Sequence, residues 1–327
     1  MTRVALLGAG FMARIHAASY GALRDRAQVA VVCALDGGEP IAQELGAELS
    51  HDWEAAVASP DIDAVDICLP TPLHRPVAVR ALAAGKHVLL EKPIALTLED
   101  ADAIGAAAEV AGRVLMVGHV LRYFPEIVEL RRLLDAGELG LPVAATALRL
   151  SAPPDWNDWM GVPEKSGGVL VDMMVHDFDI LNALLGPAER VQAAASAGGR
   201  HVQMLLEHPG GDSAVEGSHA MPPSYPFTAG LRVVCERGVL EHRFVAGAGD
   251  EVADAMQSVL GIHPVDGAAT RFHADVDPWA AQIAHFLDCV ASGREPRDGS
   301  FRQARAALAV ALAARRAADS GEPEAVQ

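Results

Sequence analysis

The sequence predicts an α/β protein in which a doubly wound parallel sheet is followed by an α+β domain with a mostly antiparallel open sheet. Up to about residue 120, short β-branched runs alternate with alanine-rich amphipathic segments, and a glycine-rich turn links the first run to the first such segment. From Val143 onward, longer runs are separated by turns rich in proline and glycine. A chain of 327 residues has room for two domains, which we place at residues 1–121 and 122–327.

The first domain is predicted as a series of βα units. Its strands are expected at Val4–Leu7, Val29–Ala34, Ala64–Leu69, His87–Leu90 and Val114–Val117. Its helices are expected near Phe11–Leu23, Pro76–Ala84 and Glu99–Ala111, and a further helix is expected near Phe124–Ala136. Gly85 and Gly112 follow two of these helices and suit the left-handed conformation that commonly ends a helix.

The second domain is predicted to contain a sheet interrupted by one helix and closed by two more. Its strands are expected at Val143–Leu150, Val191–Ala195, Val202–Glu207, Ala214–His219, Leu231–Cys235 and Val239–Phe244. Its helices are expected at Gly168–Leu185, Pro278–Ser292 and Phe301–Ser320, and residues Gly321–Gln327 are expected to be disordered. An antiparallel sheet can leave one face free of helices, so we expect a homodimer or homotetramer formed through this sheet.

The composition limits the classes of partner. A net charge of −17 without a basic stripe disfavours nucleic acids and acidic membrane surfaces, and favours a small molecule. No apolar run reaches the roughly 18 residues of a membrane span, and the first residues lack the features of a signal peptide, so we expect a cytoplasmic protein. The four cysteines lie far apart and are expected to be reduced.

A phosphate-binding loop is predicted at Gly8-Ala9-Gly10-Phe11-Met12-Ala13, directly after the first strand and at the start of a helix. In this position Gly8 makes the tight turn, Gly10 lets the backbone approach a pyrophosphate, and the helix N-terminus offers unpaired N–H groups. Phe11 and Met12 complete the contact. The alternative is a glycine-rich turn without a ligand, which the location at the first strand of a βα series makes less favourable. The first domain is therefore interpreted as a dinucleotide-binding Rossmann domain.

The end of the second strand bears on the choice of dinucleotide. An acidic residue there binds the adenosine ribose of NAD, and the segment Ala34-Leu35-Asp36-Gly37-Gly38 offers Asp36. No lysine or arginine lies in this turn to hold a 2′-phosphate, which favours NAD and leaves NADP as the alternative. Asp36 has a second interpretation, as a turn former before Gly37.

Three further segments resemble motifs of one family. They are Leu69-Pro70-Thr71-Pro72-Leu73-His74, Glu91-Lys92-Pro93, and Gly167-Gly168-Val169-Leu170-Val171-Asp172-Met173-Met174-Val175-His176-Asp177-Phe178-Asp179. In this order and spacing, the chain resembles the Gfo/Idh/MocA family of oxidoreductases over nearly its whole length. The sequence of the third segment is most similar to that of inositol dehydrogenase-like members. In two places the chain departs from the family: Ala34 aligns with the usual acidic residue, and residues 152–164 match no single substrate subgroup.

The resemblance implies a nicotinamide-dependent enzyme and assigns residues to its site. Pro70, Thr71, His74, Glu91 and Lys92 would contact the cofactor. Lys92 would also line the active site, with a Lys92-Pro93 bond that is often cis in the family. Lys92 could then hydrogen-bond the reacting oxygen. A surface lysine in a turn is the alternative interpretation.

The second domain offers a candidate acid/base pair. On one helix, Asp172 and His176 are four residues apart and share a face, together with Asp179. A carboxylate beside an imidazole orients the ring and favours its charged form, which suits a general base for an alcohol proton. The alternative is a solvated acidic helix start, which the surrounding apolar residues disfavour.

Two more residues are candidate substrate contacts, namely Arg122 and Trp156. Arg122 has the alternative of pairing with a carboxylate. The remaining histidines, for example His201, His208, His219 and His242, lack the spacing of metal ligands, so no metal site is predicted.

The sequence thus predicts an NAD-dependent enzyme, with NADP as the alternative cofactor, that oxidises a secondary hydroxyl of a sugar, cyclitol or related polyol. Two other functions stay open. One is glycoside cleavage with transient reduction of NAD, which the resemblance implies for some members. The other is a cofactor-bound sensor or scaffold without turnover.

Overall fold

The computed structural model describes residues 1–154, 159–247 and 257–327. The chain forms two compact units: the first comprises Met1–Tyr123 and Asp277–Arg305, and the second comprises Phe124–Val276 and Ala306–Gln327. Unlike the predicted division into residues 1–121 and 122–327, the first unit therefore includes a segment from the C-terminal part of the chain.

The first unit is built on a parallel sheet. Its strands are β1 (Thr2–Leu7), β2 (Ala27–Cys33), β3 (Glu48–Ser50), β4 (Ala64–Ile67), β5 (His87–Leu90) and β6 (Leu115–Val117). They lie in the order β3-β2-β1-β4-β5-β6, and every pair is parallel. The central strands are apolar and buried along most of their length, as in a sheet covered on both faces. The parallel Rossmann sheet predicted from the sequence is confirmed.

The helices of the first unit, numbered along the chain, are α1 (Phe11–Ala22), α2 (Glu39–Leu45), α3 (Trp53–Ala58), α4 (His74–Ala83), α5 (Leu98–Ala111) and α9 (Pro278–Ser292). Helix α9 is capped by Asp277, whose carboxylate accepts hydrogen bonds from the N–H groups of Trp279 and Ala280. Ile283 and Phe286 of α9 belong to the same buried cluster as Ala17 and Tyr20 of α1. This shared core explains why residues 277–305 belong to the first unit.

The second unit contains a mostly antiparallel sheet, as predicted. Its described strands are β7 (Pro142–Leu150), β8 (Arg190–Ser196), β9 (His201–Glu207), β10 (Asp212–Ser218), β11 (Phe227–Cys235), β12 (Gly238–Ala246), β13 (Gln257–Pro264), β14 (Thr270–Phe272) and β15 (Glu324–Ala325). Their order is β14-β13-β12-β11-β7-β10-β9-β8-β15, and β7 and β10 form the parallel pair. Buried and more exposed residues alternate along strands such as β7 and β9, so one face of the sheet is covered.

The helices of the second unit are α6 (Pro125–Asp135), α7 (Pro163–Ser166), α8 (Val175–Leu185) and most of α10 (Phe301–Ser320). The single helix predicted at Gly168–Leu185 is wrong in part. A π-helical turn at Val169–Met173 precedes α8, and the N–H of Met174 donates to the carbonyl of Val169 five residues back, at 2.9 Å. Gly167 and Gly168 have φ of 85° and 64°, which separates this turn from α7.

The chain end also differs from the prediction. Residues 321–327 were expected to be disordered, but β15 pairs antiparallel with β8, and the Arg316 Nε lies 3.2 Å from a carboxylate oxygen of Glu324. All four cysteines are free thiols, as predicted. None of the helices in the described part of the chain combines the length and apolar character needed to cross a membrane.

Candidate active site

The phosphate-binding loop connects β1 to α1. Gly8 has a φ of 116°, and a Cβ there would lie 2.3 Å from the carbonyl oxygen of Cys68, so the turn has no room for a side chain. Gly10 caps α1 without a side-chain hydrogen bond, and a Cβ there would meet nothing within 4 Å. Phe11 is exposed and Met12 is half-buried. The space beside Gly10 at the start of α1 is thus free of protein atoms, which fits a pyrophosphate at the helix N-terminus.

The turn that carries Asp36 lies beside this loop. Gly37 has a φ of 65°, and its Cβ position is 3.9 Å from the Cβ of Ala9. Asp36 itself is exposed. Both interpretations of this carboxylate, as a ribose ligand and as a turn former, agree with this placement.

His74, at the end of the turn after β4, contacts the backbone of two neighbouring segments. Thr71 begins a 3₁₀ turn and is buried, and the two ring nitrogens of His74 lie 2.8 Å from the carbonyl oxygen of Pro93 and 2.9 Å from that of Leu69. Burial lowers the pKa of His74 despite these carbonyl groups. The sequence predicts His74 as a cofactor ligand, whereas in the structure both of its ring nitrogens face backbone oxygens.

Glu91 and Lys92 directly follow β5. Glu91 is buried, and its carboxylate faces the interior of the unit, with Oε1 3.3 Å from Nε2 of His16. Its Oε2 accepts a hydrogen bond of 3.2 Å from the backbone N–H of Lys92. The Lys92-Pro93 bond is cis, as predicted. The Lys92 side chain is half-buried.

His16 links Glu91 to a second carboxylate. Its Nδ1 lies 2.8 Å from Oδ2 of Asp66, and both His16 and Asp66 are fully buried. Burial by itself lowers the pKa of His16, but Asp66 and Cys68 outweigh it, so the pKa is raised well above its usual value. For Glu91, burial acts to raise the pKa, but His16 and Lys92 lower it overall. His16 thus lies between two carboxyl groups, and its raised pKa favours the charged form of the ring.

Sequence reasoning missed His16 and Asp66, although two signals pointed to them. His16 falls on the buried stripe of α1, with Ala13, Ala17 and Tyr20. Asp66 interrupts an otherwise apolar strand that is buried along its whole length. A buried charge needs a partner, so a lone aspartate in such a strand predicts a cation nearby.

The same cluster has the geometry of metal ligands. Within the described residues, one ligand atom each of His16, Asp66 and Cys68 lie within 4.8 Å of one another. The Cys68 Sγ is 3.5 Å from both the His16 ring and Asp66. Burial raises the pKa of the Cys68 thiol, which keeps it protonated.

The acid/base candidates of the second unit lie at a change in helical winding. Asp172 is buried in the π-helical turn, and His176, half-buried, is the second residue of α8. The neighbouring Asp177 is fixed by Arg149 of β7, whose Nε and Nη2 donate to its two carboxylate oxygens at 2.7 and 3.1 Å. This two-pronged buried pair anchors the start of α8 to the sheet.

The two further substrate candidates have different outcomes. Arg122 is buried in a 3₁₀ turn, and its Nη1 donates to Asp298 at 2.9 Å, so it pairs with a carboxylate of its own unit. Trp156 lies outside the described residues.

Comparison with known proteins identifies the family. A family model for "Oxidoreductase family, NAD-binding Rossmann fold" matches residues 2–119, and one for "GFO/IDH/MocA C-terminal domain" matches residues 127–241. The chain belongs to the Gfo/Idh/MocA family.

Relatives of this Gfo/Idh/MocA protein are similar over most of its length. It is 30% identical over 319 residues to scyllo-inositol 2-dehydrogenase (NAD(+)) of Bacillus subtilis (strain 168), covering 90% of this chain and 87% of the relative. A crystal structure of aldose-aldose oxidoreductase from Caulobacter crescentus with glycerol matches with a TM-score of 0.86 and 24% identity, covering 99% of each chain. Levoglucosan dehydrogenase in complex with NADH and L-sorbose matches with a TM-score of 0.84 and 21% identity, covering 100% of this chain and 99% of the other.

The family membership confirms the oxidoreductase class and the NAD-binding Rossmann domain that the sequence predicts. The structures below 25% identity confirm the fold.

Proposed function

We propose that this protein is an NAD-dependent dehydrogenase that oxidises a secondary hydroxyl of a sugar, cyclitol or related polyol, and reduces the corresponding ketone in reverse. The observation that carries the proposal is the combination, in one chain, of a phosphate loop that fits a pyrophosphate and the residues Lys92, Asp172 and His176. The similarity to scyllo-inositol 2-dehydrogenase over 90% of the chain supports a polyol substrate.

The bound nicotinamide would supply the hydride acceptor at its C4. The protein must then remove the hydroxyl proton and stabilise charge on the reacting oxygen. We assign the removal of this proton to His176, whose imidazole Asp172 orients. Lys92 donates the hydrogen bond to the reacting oxygen. A sensor or scaffold would not need such a set of proton-handling groups.

The cofactor contacts remain predictions for specific residues. The backbone of Gly8, Gly10, Phe11 and Met12 would hold the pyrophosphate, and Asp36 the adenosine ribose. Pro70 and Thr71 would line the cofactor from the turn after β4. For Glu91 and His74, support of the neighbouring main chain is better founded than direct contact, because their polar atoms face the protein interior.

The test is a panel of sugars, cyclitols and anhydrosugars with NAD and with NADP, read by absorbance of the reduced nicotinamide. We expect continuous reduction of NAD with at least one polyol, and its loss in the Lys92→Ala and His176→Ala variants. Glycoside cleavage without net formation of NADH would show instead that the redox change is transient. Tight binding of NADH with no turnover of any compound would favour a sensor.

We also propose a homodimer or homotetramer formed through the open face of the second unit's sheet. Strand register aligns Thr146 of β7, Ala214 of β10 and Leu205 of β9 in one row across the sheet. These residues are uncharged and at least partly exposed, with Leu205 59% exposed. Light scattering on the intact protein and on Leu205→Glu tests this: the variant should lose the association, and a monomeric wild type would contradict it.

A further inference from the structure

The main chain on both sides of Lys92 is held by contacts with buried groups of the first unit. On the preceding side, the Glu91 carboxylate accepts from the Lys92 backbone N–H and faces His16. On the following side, the carbonyl of Pro93 lies 2.8 Å from Nδ1 of His74. On each side the contact leads to a buried histidine, which we call an anchor: His16 of α1 and His74, the first residue of α4.

The anchor from α1 is itself held by a buried neighbour. His16 lies 2.8 Å from Asp66 of β4 on one side and 3.3 Å from Glu91 on the other, and all three are at least nine-tenths buried. The contact between His16 and Asp66 is a hydrogen bond, whereas Nε2 of His16 and Oε1 of Glu91 lie next to each other without forming one. Helix α1 begins at the phosphate loop, so the same helix that would hold the pyrophosphate also holds Glu91.

Gly118 makes room for this arrangement. It directly follows β6, and a Cβ at this position would lie 2.7 Å from Oε1 of Glu91. Its φ is not in the left-handed region, so an alanine here conflicts with the Glu91 carboxylate rather than with the backbone conformation. The Glu91 carboxylate therefore lies between His16 and Gly118.

The anchor from α4 is equally internal. His74 is buried, and its second nitrogen lies 2.9 Å from the carbonyl of Leu69, two residues beyond the end of β4. A cofactor ligand would need a ring nitrogen facing outward, whereas both nitrogens of His74 face backbone oxygens of its own unit.

We propose that His16 and His74 are positioning residues that hold the main chain on either side of Lys92 and thereby set the location of its ammonium group. This inference rests on the role of Lys92 given under the proposed function. A displacement of about 1 Å in a group that contacts the reacting atoms is enough to cost about 10²-fold in rate.

The first experiment needs no substrate. The chain has three lysines, Lys86, Lys92 and Lys165, so selective [¹⁵N]lysine labelling gives three backbone amide signals, each assigned by a lysine-to-arginine change. We expect the Lys92 amide signal to move upfield in folded His16→Ala and Gly118→Ala proteins, since its hydrogen bond to Glu91 is weakened, while the Lys165 signal stays. An unchanged Lys92 signal in these variants would overturn the proposal for His16.

The second experiment separates turnover from cofactor binding. His16→Ala and His74→Ala should each lower kcat about 10²-fold, with the Kd for NADH, measured by fluorescence titration, changed less than about two-fold. If His74 is instead a cofactor ligand, the Kd rises and kcat at saturation is kept, which would overturn its assignment. Gly118→Ala leaves every charged group in place and should lower kcat as His16→Ala does. It therefore provides the same test if His16→Ala does not fold.

The control is Lys86→Met at the opposite end of β5. The Lys86 Nζ donates to the carbonyls of Ser59 and Ile62 from a buried position. This variant should lower Tm and leave both kcat and the Lys92 signal as they are. Loss of turnover here, at equal loss of Tm, would show that general destabilisation explains the His16 and His74 variants.

Combined variants distinguish failure of this inference from failure of the proposed function. In a Lys92→Ala background, His16→Ala should change the residual turnover by no more than about two-fold, since there is no ammonium left to position. Full turnover by Lys92→Ala would refute the catalytic role of Lys92. Loss of turnover in Lys92→Ala, with no effect of His16→Ala or Gly118→Ala on turnover, would refute the positioning alone.

Stoichiometric zinc in the purified protein would also overturn the ion-pair arrangement, because a metal at His16, Asp66 and Cys68 would replace it.

Discussion

The two units of this protein prepare their functional residues in different ways. In the first, the positions depend on strand ends: Gly8, Glu91 and Gly118 each directly follow a parallel strand, and the strands fix them relative to one another. In the second, Asp172 and His176 lie on one continuous segment whose winding changes from π to α between them. A motif at strand ends can be interpreted from its place in a βα series, whereas a motif on a helix depends on local winding that residue spacing does not reveal.

Buried histidines show a second contrast. His16 of the first unit lies between two carboxylates, which raise its pKa in spite of burial. His242 of the second unit contacts the hydroxyl of Ser258 at 3.0 Å, and burial lowers its pKa to about 4. Both side chains are buried, and His242 is influenced by Glu126, which raises its pKa, and by Arg149, which lowers it. The balance between burial and the nearby charged groups therefore decides which form of each ring is stable.

The largest expected effect tests the division of roles between the units. His176→Ala should lower kcat by roughly 10² or more, because a positioned general base contributes about 10²–10⁴ to the rate. Binding of NADH should persist, since the phosphate loop belongs to the other unit. Steady-state kinetics and fluorescence titration measure the two quantities. His201→Ala, a half-buried histidine of the same unit, is the control, and unimpaired turnover by His176→Ala would remove that residue from the mechanism.

Much of the first unit was predictable from the sequence because apolar runs and glycines define it. The strand His87–Leu90 is found as predicted, and β1 and β4 begin or end within two residues of their predicted limits. The edge strand β3 and the helices α2 and α3 were missed, since they are too short for periodicity to show. The His16–Asp66 contact joins residues 50 positions apart, and such pairing follows only from the assembled sheet.

In the second unit, the long strands were predictable and the irregular parts were not. The π-helical turn before α8 depends on the backbone of Gly167 and Gly168, which no 3.6-residue pattern encodes. The strand β15 has a polar, acidic sequence typical of a disordered tail, and it is ordered by pairing with β8. The candidate residues Asp172 and His176 were found through a motif, whereas the pairing of Arg149 with Asp177 required the fold.

The next prediction sharpens the contrast between the two buried histidines. In the unfolded chain His242 has a pKa near 6.5, and in the folded protein about 4, so below pH 6.5 the unfolded state binds the extra proton first. The free energy of unfolding should therefore fall as the pH decreases from 6.5 to 4, by about 3 kcal/mol from this residue. His16 acts in the opposite sense, because its raised pKa stabilises the fold at low pH and this contribution is lost as the pH rises through its folded-state pKa.

Urea unfolding at pH 7 and at pH 4.5 measures the effect of His242. The variant His242→Gln keeps a polar partner for Ser258 but does not titrate, so its stability should depend less steeply on pH over this interval. The same pH dependence in the wild type and in His242→Gln would contradict the lowered pKa.

A smaller effect separates two glycines of the phosphate loop. Gly10→Ala should weaken NADH binding about ten-fold and leave Tm nearly unchanged, because a Cβ there meets no protein atom but intrudes on the space for the pyrophosphate. Gly8→Ala should also lower the free energy of unfolding, by about 1–3 kcal/mol, because of its φ of 116° and the clash with Cys68. Gly21→Ala in α1 is the control and should leave binding unchanged. Equal binding by Gly10→Ala and wild type would place the pyrophosphate elsewhere.

The smallest expected effect decides between the two interpretations of Asp36. As a ribose ligand, its carboxylate accepts hydrogen bonds from NAD and repels a 2′-phosphate. Asp36→Asn preserves the tendency to form the turn, so a change in cofactor preference would come from the lost charge alone. We expect Asp36→Asn to weaken NAD binding by about 1 kcal/mol, roughly five-fold, and to narrow its preference over NADP. Glu39→Gln, an exposed acidic residue at the start of α2, should leave both affinities unchanged. If Asp36→Asn binds both dinucleotides like the wild type while Asp36→Ala lowers Tm, Asp36 acts only as a turn former, and the preference for NAD must come from another part of the first unit.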